Sequence, residues 1–172
     1  MMVRLLLATL AAAAALAQTP AELMSQPAIR AAFDAIKRNE PALLDLQARV
    51  CEIPAPPFKE EARGREFERL FKEAGLKDVR IDRAGNVLGT RPGKTARPNL
   101  VIAAHLDTVF PEGTNVKVTR EGGVMKGPGI GDDCRGLAVL LGVIRALNEA
   151  RLETPGTITF VVSVRERLSR RR

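Results

Sequence analysis

Tryptophan and tyrosine are absent from the 172 residues, phenylalanine occurs six times and histidine once. So few aromatics exclude the basic stripe with interleaved rings on which single-stranded nucleic acids stack. The net charge of +7 does not restore that reading, because the terminal "RERLSRRR" sets five arginines against one glutamate. Without that tail and Arg4 the body is only about +2. No nucleic-acid partner is expected. Long hydrophobic runs are also missing. The block from Leu5 to Leu16 is too short to span a bilayer comfortably, and no other segment approaches spanning length. Arg4 before it and Ala15-Leu16-Ala17 at its end make the first seventeen residues read as an export signal. An N-terminal anchor or a buried helix is the alternative. The mature protein is therefore expected to be periplasmic or secreted, without a membrane span.

Cysteine is scarce too. Cys51 and Cys134 could close one disulfide in an oxidising compartment, but one pair is no framework. Both are read as small buried hydrophobes. Internal repeats are absent, and residues 18–164 suffice for one ordinary domain with a core. The tail, 165–172, stands apart.

Periodicity organises that domain. Thr19, Pro20 and Glu22 form a capping box that starts a helix or broken helix running to about Lys37. Asn39 and Pro41 repeat the start signal for a second helix over "PALLDLQARVCEI". "PAPPF" at 54–58 is a connector. Residues 59–74 predict a charged amphipathic helix with Phe67, Leu70, Phe71 and Ala74 on one face, stopped by Gly75. From Asp78 the period becomes two. Hairpins are expected turning at Ala84–Asn86 and at Glu121–Gly123, with "NLVIAA" and "GTITFVVSV" as buried strands. The uninterrupted "NLVIAA" suits a strand covered on both faces. Another helix follows from Arg135 to Ala150. This order suggests an α/β sandwich with a mixed central sheet.

Two stretches could carry chemistry. In "AAHLDTVFP", His105 and Asp107 are two apart on an extended segment, so they point the same way. A carboxylate beside a ligating histidine can take its second ring N–H. Alone, the pattern is a weak signal and fits a core or surface histidine better. In "GPGIGDDCRG", residues 127–136, the glycines invite a phosphate loop, but neither the Walker lysine nor the dinucleotide spacing is present. Asp132 and Asp133 would repel phosphate. At a helix start they could hold a cation, or serve as an acidic cap. Arg135 is open between a substrate contact and a solvated helix-start arginine.

Taken in order, "EIPAPPFKEEARGREFERLFKEAGL", "DRAGNVLGTRPG", "AAHLDTVFP" and "GPGIGDDCRGLAVLL" resemble the zinc exopeptidases and deacylases of the peptidase T, carboxypeptidase G, aminoacylase and acetylornithine deacetylase family. The resemblance runs from about Leu46 to Val164. It implies a three-layer αβα sandwich, incomplete at the C-terminus, and a site with two zinc ions. His105 would bind one zinc, Asp107 would orient His105, and Asp132 would bridge the two ions, with Asp133 shaping the loop. The implied reaction is attack of a zinc-activated water on an amide of a short peptide, or of an N-acyl amino acid. The full-length family also admits homodimers, which are not expected here.

After "TFVVSV" the family carries two consecutive glutamates, a general base and then a ligand. Glu166 falls at the base position, but Arg167 stands where the ligand should be. A guanidinium has no lone pair to give a metal. The arginine-rich ending suggests a frameshift or truncated gene model, leaving an inactive piece. The competing expectations are a natural short form whose tail meets acidic partners, and a non-catalytic binding protein.

Overall fold

The structure, a computed structural model, describes residues 19–165. The expected export signal and Glu166 lie outside these residues. The chain runs through helices α1 (Pro20–Ser25) and α2 (Pro27–Cys51), α3 (Glu61–Glu73), strands β1 (Lys77–Ile81), β2 (Val87–Arg91) and β3 (Asn99–His105). It continues with a short hairpin, β4 (Thr119–Glu121) and β5 (Val124–Lys126), then α4 (Cys134–Glu149) and β6 (Thr157–Ser163).

The first start signal is present as a complete capping box: Thr19 accepts from the Glu22 amide, and the Glu22 carboxylate accepts from the Thr19 amide. The second is overridden. Helix α2 passes through Pro41 without ending, and the break falls earlier, at Gln26. A proline inside a helix forfeits one main-chain bond. Here α2 lies along α4, and Arg38 and Asn39 both donate to the Glu149 carboxylate. Packing along the whole length holds what the local signal would interrupt.

The sheet order is β1-β2-β6-β3. Strands β1, β2 and β6 are antiparallel neighbours, whereas β3 runs parallel to β6, so the sheet is mixed. A parallel pair needs a crossover, which the β4–β5 hairpin and α4 supply. Its consequence for function is direct: His105 lies opposite Ser163, and both strands end at the same edge.

One core forms on one sheet face. Val87, Ala104, Ile158, Phe160 and Val162 pack against Leu46 and Val50 of α2, Phe67, Leu70 and Phe71 of α3, and Leu137, Leu141 and Ile144 of α4. The apolar stripe of α3 is thus where its spacing places it. On the other face Val101 is 58% exposed and Val161 half-buried. Two of the three layers of the αβα sandwich are present among the described residues.

Strand β3 corrects an expectation. It is apolar throughout but covered only at its C-terminal end, with Leu100 as exposed as Val101. Among the described residues β3 is one edge of the sheet, opposite β1, and the core reaches it only at Ile102 and Ala104. A second correction concerns the cysteines. Cys51 and Cys134 are joined as a disulfide, Cα to Cα 5.4 Å, across 83 residues. The α2–α4 contact brings the last residue of one helix against the first of the other. Both are fully buried, as expected of small hydrophobes, but they are not separate.

Candidate metal centre

The site is built where β3 runs out of the sheet. Ladder bonding continues one step past the strand, with the Leu106 amide donating to the Ser163 carbonyl at 2.7 Å. Beyond it the Thr108 amide donates to Ala55 at 2.9 Å, so the "PAPPF" connector holds the far side of the turn. His105, Leu106, Asp107 and Thr108 are all buried. The strand thus ends in a stretch whose backbone is fixed on both sides.

The His105 ring lies between two acceptors. Its Nδ1 is 2.9 Å from the Asp107 main-chain carbonyl, and 3.5 Å from the Asp107 carboxylate. The shorter contact is the hydrogen bond. Its Nε2 is 2.9 Å from Asp132 Oδ1. A carbonyl only accepts, so Nδ1 carries a proton. In the neutral ring the Nε2 lone pair then faces a carboxylate oxygen. Two lone-pair donors this close suit a cation between them, or a second ring proton. The pair therefore fits a metal as two of its ligands. No group of three or more His, Cys, Asp and Glu side chains suited to a metal occurs among the described residues.

Asp132 and Asp133 divide the work of the loop. The Asp132 side chain is 59% exposed, facing outward beside the imidazole. Asp133 faces inward and caps α4: its Oδ1 accepts from the Gly136 amide at 3.0 Å, and its Oδ2 from the His105 amide at 2.9 Å. One carboxylate therefore joins the helix start to the strand end. Gly136 leaves room for that cap, because a Cβ would stand 2.0 Å from Asp133 Oδ1 and displace the carboxylate. Gly129 has φ +76°, and a Cβ would press on the Thr108 methyl at 3.1 Å, so the loop lies close against the strand exit. Arg135 donates to Gln47 Oε1 at 3.3 Å, and Gln47 Nε2 donates to the Ile130 carbonyl at 2.7 Å.

The sequence-read residues His105, Asp107 and Asp132 thus converge. Glu166 lies outside the described residues; β6, which precedes it, ends beside His105. Two residues escaped the sequence reading, Gln47 and Arg63. Arg63 is fully buried on α3 and donates to the carbonyls of Cys51, Ile53 and Leu106. Burial pushes its pKa down to about 10, against the opposing pull of Asp107. It remains a cation at neutral pH. Its signal was available: Arg63 lies four residues before Phe67 and seven before Leu70, on the apolar stripe.

A model of Peptidase family M20/M25/M40 matches residues 101–170. Carboxypeptidase G2 of Pseudomonas sp. (strain RS-16) is 31% identical over 144 residues, covering 78% of this chain and 34% of that protein. Succinyl-diaminopimelate desuccinylase of Corynebacterium glutamicum is 32% identical over 96 residues, 56% of this chain and 26% of that one. A tripeptidase from Staphylococcus aureus subsp. aureus Mu50 superposes with a TM-score of 0.66 at 29% identity, over 76% of this chain and 38% of its own. The chain spans about a third, or less, of the length of these curated relatives. Its matched segment holds both stretches that meet at His105, and the chain belongs to peptidase family M20/M25/M40.

Proposed function

We propose that this chain carries one half of the metal centre of an exported amide hydrolase acting on short peptides, with zinc as the metal. The observation that carries the proposal is the meeting of His105 Nε2 and Asp132 Oδ1 at 2.9 Å. His105 and Asp132 would hold the ion, and Asp132 would be shared with a second one. The chemistry zinc supplies when bound is polarisation of the amide carbonyl and activation of a water. The rest falls to the chain itself. The Asp107 carbonyl holds the proton on His105 Nδ1 and so keeps Nε2 turned to Asp132. Asp133 holds the loop to the strand. Glu166, emerging after β6, would take the proton from the attacking water and pass it to the leaving amine.

The disulfide supports export, since such bonds persist in oxidising compartments. Hydrolysis of N-acyl amino acids is the second reading, favoured by the likeness to a desuccinylase. Zinc titration of the purified chain, with His105→Ala and Asp132→Ala beside it, tests the proposal. Zinc should bind at one site, and each substitution should weaken it at least tenfold. Equal binding by all three proteins would overturn it. Two donors are fewer than the three usual for a catalytic zinc, so turnover of dipeptides or acyl amino acids by this chain alone is not expected.

A further inference from the structure

Arg63 is the least ordinary residue of the molecule: a guanidinium with no exposed surface on an otherwise regular helix. A buried charge is costly unless its donors are matched. Here they are matched by main chain. Nε and Nη2 both donate to the Ile53 carbonyl, at 3.0 and 2.6 Å. Nη2 also donates to Cys51 at 3.1 Å, and Nη1 to Leu106 at 2.7 Å. Among the described residues no carboxylate lies within ion-pair distance of it. Core packing alone would be served better by leucine or methionine at that point of the stripe. What the guanidinium adds is a rigid fork spanning two chain segments that no shared sheet or helix joins.

Those segments are telling. Leu106 is the residue between His105 and Asp107. Its carbonyl belongs to the peptide leading into Asp107, whose own carbonyl faces His105 Nδ1 at 2.9 Å. Cys51 is the end of α2, and its sulfur bonds Cys134, next to Asp133. Asp133 in turn accepts from the His105 amide. A closed circuit therefore runs from Arg63 through Cys51 and Cys134 to Asp133, on to His105, and back through Leu106. It surrounds the two stretches that meet at the metal donors.

We propose that Arg63 is a positioning residue for His105: by gripping the Leu106 carbonyl and the end of α2 together, it fixes the peptide that orients the imidazole. This rests on the proposed metal centre only for its consequence, not for the geometry. The single histidine makes the test direct, because its ring N–H signals in an NMR spectrum belong to one residue. In the metal-free wild type the His105 Nδ1–H proton should be protected from exchange with water. In Arg63→Met it should exchange freely, and zinc affinity should fall by about tenfold or more. Arg63→Lys, which keeps the charge but loses the fork, should give an intermediate result. An unchanged ring proton and unchanged zinc affinity in a folded variant of lower thermal stability would overturn the proposal, leaving Arg63 a structural brace. Should both variants fail to fold, the wild type decides. On adding guanidinium below the unfolding transition, the Arg63 side-chain N–H protons and the His105 ring N–H should lose protection together. Persistence of the His105 proton after Arg63 has opened would sink it. A wild type that binds no zinc but retains the Arg63-dependent ring proton would refute the metal reading alone.

Discussion

The two halves of the candidate centre are held by different means. The strand half, His105 to Thr108, is buried and fixed by main-chain bonds to Ser163 and Ala55. The loop half, 127–133, exposes the carboxylate it offers and has no sheet to rest on. Its shape comes from glycine conformation, from the Asp133 cap, from Gln47 and from the disulfide. The strand half takes its position from main-chain bonds at Leu106 and Thr108, with Arg63 and Asp133 as side-chain pins. A loop must be pinned residue by residue, and each pin is a place where it can be undone.

The largest expected effect comes from removing the longest-range pin. Reducing the disulfide, or making Cys51→Ala with Cys134→Ala, reopens an 83-residue separation and should lower stability by about 4 kcal/mol. Hydrogen exchange should quicken at 127–134 before it quickens at 103–108. Equal acceleration of both would erase the distinction between the halves. Next is the link itself. Asp133→Ala removes the α4 cap and the acceptor for the His105 amide, and should cost about 2–3 kcal/mol in a denaturant titration. A cost near zero would mean that the halves hold their places independently.

The smallest effect lies at the β1–β2 turn, on the other side of β6. Burial pushes the Asp82 carboxyl up, but bonds from Asn86, Ala84 and Gly85 outweigh it and hold its pKa below the ordinary range. Asn86 in turn accepts from the Val164 amide, just past β6. A lowered carboxylate contributes stability that is full above its unfolded pKa, near 4, and is lost as pH falls through the lower folded value. Asp82→Asn should therefore cost about 1 kcal/mol at neutral pH and nothing in strong acid, read from melting temperature against pH. It should leave exchange at loop 127–133 unchanged.

What could be read from the residues, and what could not, follows the same division between local and distant causes. The capping box at Thr19, the stripe of α3, both hairpin turns and the meeting of "AAHLD" with "GIGDD" were legible, because periodicity and turn chemistry are written within a few residues. Helix α2 looks like two helices in the sequence because Pro41 is a local signal, while its contact with α4 comes from residues about a hundred positions away. The disulfide is out of reach for the same reason. Strand β3 misled differently: an apolar run has the same appearance at the edge of a sheet as in its middle. Arg63 is hard to place from the sequence because charge ordinarily means solvent, although its spacing with Phe67 and Leu70 puts it on the inward face.

The uncovered strand has a practical side. Among the described residues β3 offers an outer row of main-chain groups without a neighbouring strand, flanked by Leu100 and Val101. Such a row is a template on which another extended chain can lie down. It is blunted only where the strand turns inward, toward the histidine. Among the described residues this open edge is the run-up to His105, so a chain that paired with it would lie a few residues from the two side chains proposed to hold zinc.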